Sequence, residues 1–297
     1  MIDIKQLYRT FTAKNINLQF IYCNIAVFLF ISFAALVHWL FQLTSAPLTN
    51  SFMLYSNVGH FLQKPWGIFT YMFLHEQLSH LFFNMICLYG FGQLFLLFFS
   101  SKHYRGVYIW GGLLGGLLYL LVYNLFPAMA NQGDIPLLGA SASILALITA
   151  VAYREPNYQV QLFLLGRWPL KYIAIGFVVL DLLLMPSSNT GGHVAHLGGA
   201  IAGLLFTYGL NKGVDLTAWI TTPLQRLINW VETIFSKERK RPKMKVHYGS
   251  RERDYQYKAE QKRDTAKIDT ILDKLKKSGY ESLTAAEKKA LFDASKK

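Results

Sequence analysis

Leu137-Leu138-Gly139-Ala140-Ser141-Ala142-Ser143-Ile144 stands where a polar loop, residues 127–136, gives way to an apolar run that lasts to Tyr153. A hydroxyl among small residues at the mouth of an apolar helix sits in a special place. Backbone N–H groups of a first helical turn have no carbonyl a turn back to bond, and the positive end of the helix dipole lies there too. Further on, His193-Val194-Ala195-His196-Leu197-Gly198-Gly199 opens a second apolar helix. Gly199 and Gly203 lie three and seven residues beyond His196, so all three share one helix face. Small residues at that spacing let helices approach closely, and Gly139, Ala142, Ser143, Ala146 and Ala150 offer a matching stripe. Packing the two faces together brings His196 within reach of Ser141, the geometry a serine and its general base require. Ser143 lies deeper in its helix, and His193 lies closer to the aqueous turn and off the glycine face, so both are the weaker choices.

The rest of the chain places these two helices in a membrane. Of 297 residues 53% are hydrophobic, 15% aromatic and only 16% charged, and the mean hydropathy is +0.25. Those values point to several spans. Apolar runs at 18–43, 71–99, 107–125, 138–153, 172–185 and 194–210 predict an all-α, polytopic bundle of six transmembrane helices. The first run is long enough for a retained span. The mixed segment 44–66, rich in aromatic residues, reads as an interfacial loop. Cys23 and Cys87 both fall in apolar runs and read as small core residues. The expected organisation is a cytoplasmic N-terminal segment (1–17), a six-span domain (18–210), an amphipathic helix and basic linker (211–264) and a small helical module (265–297).

Charge sets the orientation. Lys and Arg concentrate before the first run, around Lys102 and Arg105, between Arg154 and Lys171, and in the tail; the three other connections hold only Lys64. The positive-inside rule then puts both termini in the cytoplasm. Runs two, four and six start at the outer face, so His80, Asn84, Ser141 and His196 share one depth. His80 and Asn84 are four apart on one face, and both side chains carry N–H groups able to donate to an oxyanion; a helix-to-helix hydrogen bond is the simpler reading of that pair alone. Asp181 is the acid well inside a run. It either completes a Ser-His-Asp triad or bonds a neighbouring helix, and without it the pair is a dyad.

Nineteen of the 30 Lys and Arg lie in 237–297, which points to anionic lipid headgroups and not to nucleic acid. Thr222-Pro223 predicts a helix start, with Leu224, Leu227, Ile228, Val231 and Phe235 on one stripe and Trp230 as an interfacial anchor; an ordinary packed helix fits equally well. Residues 251–263 read as a charged linker. Short helices at 265–277 and 284–295 flank Ser278-Gly279, with Ile268, Ile271, Leu272, Leu275, Leu283, Leu291 and Phe292 as a small core. A zinc protease is disfavoured: there is no His-Glu-x-x-His, and His193 and His196 have no acid beside them in sequence. A proton-coupled transporter using His80, His196 and Asp181 predicts inverted repeats, and none is visible.

Taken together, Pro65-Trp66, Thr70-Tyr71-Met72-Phe73-Leu74-His75, His80-Leu81-Phe82-Phe83-Asn84-Met85, Gly139-Ala140-Ser141-Ala142 and Ala195-His196-Leu197-Gly198-Gly199 with Gly203 resemble the rhomboid intramembrane serine proteases. The resemblance covers about 18–210. It implies Ser141 as nucleophile, His196 as base, His80, Asn84 and the Ser141 N–H as oxyanion hole, transmembrane protein substrates, and no metal or other cofactor. It sets no oligomeric state. Ala142, Leu145 and Gly67 depart from the glycine, tyrosine and arginine common in that family. Leu145 is expected to pack where the tyrosine would stack on the histidine. The tail resembles a module of some bacterial relatives, so the expected location is a bacterial cytoplasmic membrane. Relatives lacking the serine or histidine are inactive scaffolds; both residues are present here.

Overall fold

The computed structural model describes residues 15–44, 47–162, 166–186, 189–235 and 251–294. Two compact units emerge, Met1–Lys237 and Glu238–Lys297. In the first, each of the six apolar runs is a helix: α1 (Ile16–Leu40), α2 (Leu78–Phe98), α3 (Ser101–Leu125), α4 (Ser141–Arg154), α5 (Leu170–Leu184) and α6 (Thr190–Asn211). By length and composition α1, α2, α3 and α6 are able to cross a membrane. The α4 and α5 helices have 14 and 15 residues, roughly 21 and 22 Å at ~1.5 Å per residue, short of the ~30 Å hydrocarbon core.

Position in the bundle follows from composition. Every residue of α4 from Ala142 to Ala152 is buried, as expected of a helix that is apolar all round. The α3 and α6 helices pack around it through glycines: a Cβ on Gly115 would come 2.7 Å from the Ala195 carbonyl oxygen, and one on Gly198 would come 2.7 Å from the Gly115 Cα. By contrast α1 turns large apolar side chains outward, among them Leu29, Phe30, Phe33 and Trp39, a lipid-compatible surface. Buried tyrosines satisfy the polar groups between helices. Tyr104 OH donates to Asn17 Oδ1 at 2.9 Å, and Tyr71 OH to the Gly112 carbonyl at 2.7 Å.

Two small antiparallel ribbons accompany the helices of this all-α fold. Strand β1 (Leu54–Tyr55) pairs with β2 (Pro136–Leu137), with Leu54 opposite Leu137; β3 (Gln159–Leu162) pairs with β4 (Gly166–Pro169). The first ribbon ties the loop ahead of α2 to the segment that leads into Ser141. That loop is anchored without the family's arginine: Trp66 Nε1 donates to the Ser51 carbonyl at 2.7 Å, Thr70 Oγ1 to the Phe52 carbonyl at 2.6 Å, and a Cβ on Gly67 would lie 2.6 Å from the Met53 carbonyl oxygen.

Three sequence expectations need correction. The second span starts at Leu78, not Tyr71. Tyr71–Phe73 forms a separate turn and Leu74 is extended, because the Tyr71 carbonyl is taken by the Gly139 N–H at 3.0 Å. The helix predicted to begin at Thr222-Pro223 is α7, Ala218–Phe235, with Pro223 inside it. Its true start is signalled by Asp215, whose Oδ1 accepts from the Thr217 N–H at 2.9 Å. In the second unit the presumed linker is helical: α8 runs Arg251–Ser278. Ala, Gln, Glu, Lys and Arg favour helix, and no Gly or Pro interrupts them until Gly279, at φ +76°. The second tail helix, α9, spans Ala285–Ala294 behind a reciprocal cap: Glu287 Oε2 accepts from the Thr284 N–H at 2.7 Å, and the Glu287 N–H donates to Thr284 Oγ1 at 3.3 Å. That backbone bond, with Lys274 and the Thr284 hydroxyl, holds the Glu287 carboxyl down to about 2. The expected tail core is thin: Leu283 is buried, while Leu272 and Phe292 are exposed.

Candidate active site

Ser141 is the first residue of α4. Ahead of it Gly139 has φ +126°, a left-handed region that glycine enters without strain. A Cβ there would also lie 3.0 Å from the His80 ring. Gly139 therefore turns the chain into α4 and leaves room for His80. It does not belong to the helix-packing stripe predicted for it. The Tyr71 carbonyl pins this glycine through its N–H, so Tyr71 holds the loop with its backbone and α3 with its hydroxyl. In the sequence Tyr71 stands only as the start of the second apolar run and within a motif, with no role of its own. The signal available was a phenol in an otherwise apolar stretch, which needs a partner once buried.

His196 reaches Ser141 from the second turn of α6. Its Nε2 lies 2.6 Å from Ser141 Oγ. The approach depends on glycine: a Cβ on Gly199 would overlap the Ala142 carbonyl oxygen, and one on Gly203 would overlap the Ala146 carbonyl oxygen and Thr149 Oγ1. The predicted face-to-face packing of Gly199 and Gly203 against Ala142 and Ala146 is what the two helices adopt. Ser143 is different. It is fully buried, its Oγ lies 3.9 Å from Met72 Sδ, and it is the nearest α4 side chain to a Cβ placed on Gly112. It faces α3, not the histidine.

His80, Asn84, Ser141 and His196 line one cavity of about 670 Å³, with Phe83 and Leu138 among its apolar walls. Asn84 Nδ2 donates to the His80 carbonyl at 3.0 Å. That bond uses one of its two N–H groups, so a second remains for a ligand oxygen. The helix start at Ser141 leaves that residue's own N–H with no partner inside the helix. A free amide N–H of Asn84 and the Ser141 backbone N–H thus border the cavity, beside the His80 ring.

Asp181 is brought alongside. Its Oδ1 lies 2.8 Å from Nδ1 of His196 and 2.8 Å from Nδ1 of His193. Along the chain no acid stands beside these histidines; in space one does, because α5 lays its C-terminal end against the first turns of α6. Asp181, His193 and His196 are, among the described residues, a group of three able to hold a metal ion. No metal is expected from the sequence.

Comparison with known proteins covers a shorter stretch than the 18–210 over which the resemblance runs. The description "Rhomboid domain" matches residues 62–213, and "Family of unknown function (DUF6576)" matches 252–297. The chain is similar to "Rhomboid protein 1, mitochondrial" of Saccharomyces cerevisiae, 26% identical over 147 residues, 48% of this chain and 41% of the relative. It is similar also to "RHOMBOID-like protein 12, mitochondrial" of Arabidopsis thaliana, 26% identical over 156 residues, 49% of this chain and 46% of the relative. The matched stretch thus spans less than half the length of either curated relative. Both relatives are mitochondrial by name, so they do not favour the bacterial membrane expected from the sequence.

Proposed function

The chain belongs to the rhomboid family, and from that premise we propose that it is an intramembrane serine endopeptidase that cleaves transmembrane segments of membrane proteins. The observation that carries the reading is the 2.6 Å contact between Ser141 Oγ and His196 Nε2 at the wall of a cavity that also holds His80 and Asn84. Ser141 Oγ attacks the scissile carbonyl carbon while its proton passes to His196 Nε2. The oxyanion is received by the Ser141 N–H, Asn84 Nδ2 and His80, each such donor contributing about 3 kcal/mol. His196 then protonates the leaving amine as the acyl bond to Ser141 remains. A water attacks that ester, giving its proton to His196, which passes it to Ser141 Oγ as the ester C–O bond breaks and the acid product leaves. The reaction requires no cofactor.

In the same reading all six helices span the membrane, with both termini in the cytoplasm. The short α4 starts at Ser141, which places the nucleophile below the outer surface, with the cavity supplying its water. Substrates are segments whose small residues weaken the helix, since a peptide bond held in a regular helix offers no free carbonyl to attack. Anionic headgroups take up the basic stretch 237–245, which lies outside the described residues.

The test is cleavage of a model transmembrane substrate by the purified chain in detergent. Wild type and Ser143→Ala are expected to cleave; Ser141→Ala and His196→Ala are expected to lose at least about 10³-fold in kcat/KM. Equal cleavage by wild type and Ser141→Ala would remove Ser141 as nucleophile. A wild type that neither cleaves nor labels with a fluorophosphonate would favour an inactive scaffold that binds membrane proteins.

A further inference from the structure

Resting on the Ser141–His196 pair, we propose that Asp181 is a positioning residue that fixes the tautomer and ring plane of His196, so that the protein works through a Ser141–His196–Asp181 triad, with His193 holding the carboxylate in place. The geometry is one oxygen with two ring nitrogens: Asp181 Oδ1 lies 2.8 Å from Nδ1 of both histidines. An ionised carboxylate only accepts hydrogen bonds. Each Nδ1 facing it must therefore carry the proton. For His196 this leaves the lone pair on Nε2, the atom 2.6 Å from Ser141 Oγ. That is the tautomer a general base needs. The opposite tautomer would set the Nδ1 lone pair against a carboxylate and leave Nε2 unable to take a proton from serine.

Burial and placement strengthen the argument. Asp181 is 6% exposed on α5, a helix whose other buried residues are Leu170 and Ala174. An acid inside an apolar helix is costly unless it is paired, and among the described residues the pairing is with two imidazoles and no cation of fixed charge. His193 and His196 are three apart on α6, with their rings nearly perpendicular at 89°. The His193 N–H therefore approaches the shared oxygen from a different direction than the His196 N–H. The carboxylate cannot swing toward one ring without losing the other. When His196 takes the serine proton, the adjacent carboxylate stabilises the imidazolium that forms.

The test uses the full chain with Asp181→Asn and Asp181→Glu. For Asp181→Asn, kcat is expected to fall about 10²–10⁴-fold with KM within threefold of wild type. Asp181→Glu is expected to recover at least a tenth of the wild-type kcat. Independently of activity, ¹⁵N-histidine NMR, with the His196 signals identified by their loss in His196→Ala, is expected to show the proton on Nδ1 in wild type and a changed tautomer in Asp181→Asn. The proposal is overturned if Asp181→Asn keeps kcat within threefold. It is equally overturned if wild-type His196 carries its proton on Nε2, or if the variant loses activity only in step with its thermal stability and with the tautomer unchanged. Should wild type prove inert and unlabelled by fluorophosphonate, the protease reading fails, while the NMR result still decides the role of Asp181.

Discussion

Toward α4, helix α6 packs backbone against backbone; toward α5, it meets a helix that touches through very little. Eleven of the 14 residues of α4 are buried, against three of the 15 in α5. His196 lies between these two kinds of contact. On the α4 side its position is set by volume: Gly199 and Gly203 allow no atom between themselves and the carbonyl oxygens of Ala142 and Ala146. On the α5 side its orientation is set by charge and direction, through a single carboxylate oxygen. The difference teaches that distance and tautomer, two separate requirements of a general base, are supplied by separate helices. Packing is insensitive to which nitrogen carries a proton, and one hydrogen bond from an edge helix is too weak to hold two helices at contact distance.

The largest effect should come from forcing the seam open. Gly199→Val places a branched side chain on the Ala142 carbonyl, where even a bare Cβ overlaps. Unfolding in mixed micelles is expected to become easier by about 3 kcal/mol, the upper range for overpacking. Cleavage is expected to drop below one hundredth of wild type, since Ser141 and His196 move apart. Retention of cleavage within threefold would mean that the seam does not set their distance. A gentler cut is Thr207→Val, which keeps the shape. The Thr207 hydroxyl donates to the Ala150 carbonyl across the same seam, at 3.0 Å. Losing it should cost about 1 kcal/mol and less than tenfold in kcat. A larger fall would show that the seam depends on hydrogen bonds more than on volume.

How much of this was legible follows from the same contrast. The Ser141–His196 pairing was readable because it rests on periodicity: residues at three- and four-residue spacing share a face, and small faces seek small faces. Six helical segments were readable from the apolar runs themselves. Asp181 was visible as an odd residue, yet its partners were not, because which helix an acid faces depends on how α5 packs on α6. The sequence left it between a triad and an interhelical bond. The β1–β2 ribbon was hidden as well: strands of two residues carry no alternation to detect, and their pairing is long-range. Ser143 shows the limit of the stripe argument. It was grouped with Ala142 and Ala146 by size, but it points to Met72 on the α3 side. In the tail, composition suggested a solvated linker at 251–263; helix propensity, free of Gly and Pro, decided otherwise.

The smallest effect belongs to the outer side of α5. Leu183 is 70% exposed, so in a bilayer its neighbours are lipid tails. Truncation to alanine removes apolar contacts with lipid from both the folded helix and its separated state in the membrane, and these nearly cancel. Leu183→Ala is therefore expected to change stability by no more than about 0.5 kcal/mol, read by the same micelle unfolding used for Gly199→Val, with kcat unchanged within twofold. The interpretation depends on the exposed face of α5 being covered by nothing but lipid. A cost above about 1 kcal/mol would mean that another surface packs there. Dilution in detergent would then show whether a second copy of the chain is that surface, since only an intermolecular contact weakens with protein concentration. In that event α5 would be held by its partner as well as by Asp181, and the division between a packed seam and a loosely held edge would have to be redrawn.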